Sequence, residues 1–135
     1  MSRQTDLEYG IIENYVGGVW TTPRVEGQSV DNPATGETIA RVGFSSKEDI
    51  NAAVADAQAA FEEWHKRPVE ERIQPLFEFK QLLEEHQDDL AEVLVKEHGK
   101  TFGEAKGELR RGIENVETAC GIPTFMQAGH VENAA

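Results

Sequence analysis

Apolar positions along this chain follow two periods, and the switch between them falls near residue 45. Before it, "NYVGGVW" (Asn14 to Trp20) alternates, with Tyr15, Val16, Val19 and Trp20 as its apolar members. This predicts a strand with an irregularity at Gly17-Gly18. "TTPRVEGQS", which carries Pro23 and Gly27, is expected to be a loop. In "VDNPATGETIARVG", Asn32-Pro33 opens a turn, Gly36 supplies a positive φ, and Thr38, Ile39 and Val42 resume a strand. Two or three short strands of this kind form a hairpin-like ribbon. Such a ribbon needs something to cover its apolar face.

After residue 45 the period becomes helical. Ser45 and Glu48 in "SSKE" have the spacing of a capping box. The helix behind it places Ile50, Ala53, Val54, Ala57, Phe61 and Trp64 on one face and ends near "HKRP". Pro68 suits the first turn of a second helix, where Glu70 and Glu71 lie near its positive end. The buried stripe of that helix is Val69, Ile73, Leu76, Phe77 and Leu83, and Pro75 inside it demands a kink or a short first turn. "DDLAEVLVKEHGK" is a third helix, opened by Asp88-Asp89 and closed by Gly99. Thr101 to Glu104, "TFGE", is another capping box. It starts a fourth helix with Ala105, Leu109, Ile113, Val116 and Cys120 on one face, weakened or ended by Gly121 and Pro123. "QAGHVENAA" has no periodic pattern. Few strands and four amphipathic helices leave apolar faces in want of a sheet, which points to a portion of a larger protein.

Composition narrows the partners. Among 135 residues, 25 Asp and Glu stand against 13 Lys and Arg, a net charge of -12. Nucleic acid and anionic membrane surfaces would be repelled. The plain reading of the acids is a solvated surface; the sharper one is adaptation to high salt, favoured by their spread over every segment. No window reaches the roughly 18 uninterrupted apolar residues of a membrane span. "MSRQTDLEYG" lacks the apolar core of a secretory signal, and a lone cysteine forms no internal disulfide, so a reducing cytoplasm is expected.

Little in the residues carries chemistry. No GxGxxG or GxxxxGK[ST] occurs, so no phosphate-cradling loop is expected. His65, His86, His98 and His130 sit in separate segments without paired metal-ligand spacing. Glu62-Glu63, Glu70-Glu71 and Glu84-Glu85 are adjacent and splay apart on a helix, whereas acid-base work needs converging carboxylates. "EHGK" reads as a helix end, with Gly99 as cap and Lys100 near the last carbonyls. Cys120 has the spacing of a core residue. It lacks the helix N-terminus, cationic neighbour or paired base that activates a nucleophile. No catalytic, cofactor-binding or metal-binding residue is therefore assigned.

"VDNPATGETIARV", the Ala-rich helix ending "AFEEW", "ERIQPLFEFKQLLEEH" and "LVKEHGKTFGEAKGEL", in this order, resemble the N-terminal portion of the aldehyde dehydrogenase superfamily. The resemblance runs from about Asn14 to the end of the chain. "GKTFGEAKGELRRGIENVETACGIP" is most similar to the CoA-acylating methylmalonate-semialdehyde dehydrogenases; hydrolytic members commonly carry Pro where this chain has Thr101. The implied fold is α/β: an N-terminal β-ribbon and amphipathic helices forming part of a Rossmann-like coenzyme domain. Residues 1–13 would be a tail and 14–135 an incomplete N-terminal part of the NAD-binding domain. The implied activity is NAD-dependent oxidation of malonate or methylmalonate semialdehyde to an acyl-CoA in a cytoplasmic homo-oligomer (dimer or tetramer). In the family a cysteine outside this segment attacks the aldehyde, hydride passes to NAD, and CoA or water cleaves the thioester. The resemblance implies NAD and CoA for the whole enzyme and neither for this chain alone. Some hydrolytic members hold a monovalent cation near the positions of Val30, Asp31 and Glu97, where this chain departs from them. A non-enzymatic helical or subunit-interaction module and a hydrolytic dehydrogenase are the alternatives.

Overall fold

The computed structural model describes residues 7 to 127, and its β portion holds two separate sheets. Strands β1 (Ile11–Ile12), β2 (Asn14–Val16), β3 (Val19–Thr21), β4 (Val25–Asp31) and β5 (Thr38–Phe44) come first. The single strand expected over Asn14 to Trp20 is a hairpin instead: β2 and β3 pair antiparallel, with Tyr15 opposite Trp20 and Val16 opposite Val19. Gly17 and Gly18 have φ of 59° and 81°. Two consecutive left-handed residues make the two-residue turn whose twist matches paired strands, so the apparent irregularity is the turn.

The expected loop from Thr21 to Ser29 also needs correction, since most of it is β4. This strand pairs antiparallel with β5, with Gln28 opposite Val42 and Val30 opposite Ala40, and its register shifts between Val25 and Gln28. Gly27 lies in that irregularity. A Cβ there would sit 1.7 Å from the Val42 carbonyl oxygen. The glycine thus marks a close backbone approach within a strand, not a loop. The turn from β4 to β5 forms as expected: the Asn32 carbonyl accepts from the Thr35 and Gly36 amides, and Gly36 has φ 75°. β1 arises from the stretch read as a tail and lies parallel to β5, giving the order β1-β5-β4.

The helices are α1 (Lys47–Trp64), α2 (Val69–Arg72), α3 (Gln74–Glu85), α4 (Gln87–His98), α5 (Phe102–Cys120) and α6 (Ile122–Gln127). The cap of α1 lies one residue beyond the expected Ser45–Glu48 pair. Ser46 and Asp49 form the box, with the Asp49 carboxylate accepting from the Ser46 amide at 3.0 Å and its hydroxyl at 2.8 Å. Ser45 is engaged elsewhere, accepting a 2.8 Å bond from the Asn14 side chain that ties the hairpin to the helix. Pro75 stands in the first turn of α3, where a missing N–H costs nothing, so the chain restarts there and does not kink. Gly99 closes α4 with φ 74°, and Thr101 with Glu104 boxes α5, both as expected. α5 ends at Cys120, and Pro123 falls in the short α6, which the apolar spacing did not announce.

The core is small and unevenly placed. α5 packs against α3 and α4, its Ala105 and Ile113 are 0% and 2% exposed, and Ala91 of α4 is fully buried. Small side chains such as these alanines allow neighbouring helix axes to approach closely. The sheet buries only Ile39 and Ala40. α1 buries nothing: Ile50, Val54, Phe61 and Trp64 share its apolar face and all are exposed.

Candidate functional site

A concavity of about 610 Å³ lies between the β2–β3 hairpin and α1. Its polar members include Asn14, Arg24, Ser45, Asp49 and Asp56, set among Tyr15, Ile50 and Val54. Hydrogen bonds from the Ser46 hydroxyl and amide hold the Asp49 carboxyl below the ordinary carboxylate range, with a lesser share from the Arg24 guanidinium 3.8 Å away. Asp49 is therefore an anion committed to its helix cap. Asp49 and Asp56 are the carboxylates that line this cleft, and Asp49 is bound to Ser46.

A second groove of about 450 Å³ forms where α4 passes into α5, around His98, Lys100, Glu104, Glu108 and Arg111. The Lys100 ammonium donates to Glu108, so it does not serve the last carbonyls of α4 as expected. That bond holds the Glu108 carboxyl below its ordinary value, and Thr101 does the same for Glu104. Both acids are spent on local partners.

The remaining candidates stay apart. The His65 ring bonds the Phe61 carbonyl at 2.7 Å, the His86 ring meets Asp89 at 3.2 Å, and His98 lies in the second groove. His130 falls outside the described residues. Among the described residues no group of three His, Cys, Asp or Glu side chains could hold a metal ion. Glu62 and Glu63 are exposed on α1 and bond different partners, Gln58 and Lys66. Cys120 is buried at the last turn of α5 as a free thiol. The Asn14–Ser45 tether had no signature in the sequence. Asp49 did, since Ser46–Asp49 in "SSKED" has the same spacing as Ser45–Glu48.

The described residues do not fit a dinucleotide. β5 runs into α1 through Ser45 and Ser46 with no glycine-rich turn, and the N-terminus of α1 is filled by the Asp49 carboxylate. Acids also stand in the first turns of α2 (Glu70, Glu71), α4 (Asp88, Asp89) and α5 (Glu104). A pyrophosphate would meet negative charge at each of these ends, where helix dipoles otherwise attract it.

What the site lacks is matched by how much of a larger protein the chain represents. The aldehyde dehydrogenase family profile matches residues 20–135, and the chain belongs to that family. It is 45% identical over 132 residues to malonate-semialdehyde dehydrogenase 1 of Geobacillus kaustophilus (strain HTA426), covering 97% of this chain and 27% of that protein. Malonate-semialdehyde dehydrogenase 2 of Bacillus mycoides (strain KBAB4) is 47% identical over 127 residues, covering 92% and 26%. A Sinorhizobium meliloti 1021 protein, assigned as methylmalonate-semialdehyde dehydrogenase and crystallised with NAD, superposes with a TM-score of 0.84 at 34% identity. That match covers 96% of this chain and 26% of the other. The α/β arrangement of a small sheet and amphipathic helices is thus the fold of this family, and the chain spans about a quarter of the length of these relatives.

Proposed function

We propose that residues 14–135 are the N-terminal part of the NAD-binding domain of an aldehyde dehydrogenase that oxidises malonate or methylmalonate semialdehyde to an acyl-CoA. The observation that carries this reading is 45% identity to a malonate-semialdehyde dehydrogenase across 97% of the chain. Thr101 after Gly99-Lys100, where hydrolytic relatives commonly carry Pro, supports the CoA-acylating branch. The whole enzyme would use NAD and CoA, act in the cytoplasm and assemble as a homo-oligomer. The role of this chain is to scaffold. Its ribbon and helices carry no reacting group, and the open apolar face of α1 would be covered by the remainder of the subunit. The chain alone should neither oxidise an aldehyde nor bind NAD.

A graft tests this. The matching segment of the Geobacillus kaustophilus malonate-semialdehyde dehydrogenase is replaced by this chain, and NADH formation from malonate semialdehyde is followed with and without CoA. CoA-dependent turnover within about tenfold of the parent is expected, a barrier change of at most about 1.4 kcal/mol. A graft that folds and binds NAD but does not turn over refutes the assignment. Turnover indifferent to CoA moves it to the hydrolytic branch, and NADH formation by the 135-residue chain alone ends the scaffold reading.

A further inference from the structure

The acidic surface has a consequence of its own. Of the lysines and arginines, Arg24, Lys66, Lys80, Lys96, Lys100, Lys106 and Arg110 are in ion pairs among the described residues. Each of those pairs has at least one exposed partner, although Asp49, Lys80 and Lys100 are half-buried, and pairs open to water are individually weak. The acids outnumber the bases by 25 to 13, and many stand exposed with no ion pair or hydrogen bond among the described residues, Glu26, Asp56, Glu78, Glu92 and Glu97 among them. Glu92, which has no such partner, sits one helical turn from both Asp88 and Asp89, whose own partners are Lys106 and His86. Side chains at that spacing are about 5–6 Å apart, and like charges there repel.

Screening decides which effect wins. The Debye length is about 10 Å at 0.1 M salt and about 3 Å at 1 M. A 5–6 Å repulsion survives the first condition and is largely quenched in the second. The attraction opposing it comes from few buried side chains, of which Ile39 and Ile113 are the largest. We propose that this chain is built for high ionic strength, folding cooperatively at about 1 M monovalent salt and above and losing much of its stability near 0.1 M.

The test uses the 135-residue chain, followed by circular dichroism melts in KCl from 0.1 to 3 M, with sucrose as an osmolyte that does not screen. The melting temperature should climb by about 10 °C or more between 0.1 and 2 M KCl. Replacing Glu26, Glu78, Glu92 and Glu97 by Lys changes the net charge from -12 to -4 (four reversals of two charges). This variant should melt in 0.1 M KCl near where the parent melts in 2 M. The Gln set at the same positions, at -8 (four charges removed), should fall between. A melting temperature indifferent to KCl overturns the proposal, as does a chain unfolded at every KCl concentration. So does a shift reproduced by sucrose, or a pair of charge variants that gain nothing in low salt.

Discussion

α1 and α5 are helices of nearly equal length, 18 and 19 residues, with the same capping device and an apolar stripe each. They end in opposite circumstances. α5 has Ala105, Ile113 and Cys120 buried against its neighbours, whereas Ile50, Val54, Phe61 and Trp64 of α1 remain in contact with solvent. Size explains part of the difference: small residues on α4 and α5 let those helices meet, while the bulky face of α1 needs a broad partner surface that the ribbon does not supply. An amphipathic period states which face is to be covered. It is silent about what covers it.

The sharpest way to break that contrast is to truncate one residue on each helix. Ile113→Ala should cost about 2–5 kcal/mol, since it removes a buried side chain and leaves a cavity. Val54→Ala, at a side chain 63% exposed, should stay within about 0.5 kcal/mol in the chain alone. Denaturant melts at 2 M KCl would read both, and equal losses would mean that α1 has found a partner surface. In the grafted enzyme the Val54→Ala cost should rise above its value in the free chain, because the face is then covered.

Gly27→Ala extends the comparison to the sheet. The new methyl would meet the Val42 carbonyl oxygen, and overpacking of this kind costs about 1–3 kcal/mol. Gly107→Ala on α5, where a Cβ meets nothing within 4 Å, should be neutral or stabilising, because alanine is the better helix former by about 1 kcal/mol. A Gly27→Ala chain that melts with the parent would show that β4 is held too loosely to feel the clash.

These glycines also mark how far the sequence could be read. The ends of α4 and α5 were legible to within a residue or two, because caps and i, i+3, i+4 stripes are local: Thr101 with Glu104 and Gly99 declare themselves in place, whereas the break before Pro75 and the short α6 did not. β4 was not, because its evidence is nonlocal. Pro23 and Gly27 mimic a loop until β5 is laid alongside and Gly27 is found under Val42. The two-residue β1 is too short for any period, and its partner lies 30 residues on, at Arg41. The candidate site was legible as a family resemblance carried by ordered motifs, and the grooves were not, since Asn14 meets Ser45 only after folding.

Cys120→Ala probes the covered helix more gently. The thiol is a small buried group at the end of α5, and its loss should cost about 1 kcal/mol. In the grafted enzyme, turnover should be unchanged within about twofold, well under the 1.4 kcal/mol that marks a tenfold change. A graft that folds and melts like the parent but has lost all NADH formation would make Cys120 the nucleophile.

The smallest effect lies in what the two helices share. In both capping boxes a carboxyl is held below its ordinary value, first by the hydroxyl of the cap residue and then by its amide: Ser46 for Asp49, Thr101 for Glu104. A carboxyl whose folded value is depressed adds stability that is fully present above its unfolded value and is lost as pH falls through the folded one. For Glu104 the loss begins below the ordinary 4.5, and for Asp49 below 3.8. Glu104→Gln and Asp49→Asn keep an acceptor for the cap but remove the titration. Each variant should therefore show a shallower drop in melting temperature below its onset than the parent. Salt then separates the boxes. Asp49 owes a minor share of its shift to Arg24 at 3.8 Å, and 2 M KCl should screen part of that share while the Ser46 bonds remain. Glu104 likewise owes only its smallest lowering contribution to Lys100. A carboxyl-resonance titration of each acid at low and high salt should find most of both depressions intact at 2 M. If either carboxyl returns to its ordinary value there, that helix is held by long-range charge and its cap is not formed in solution.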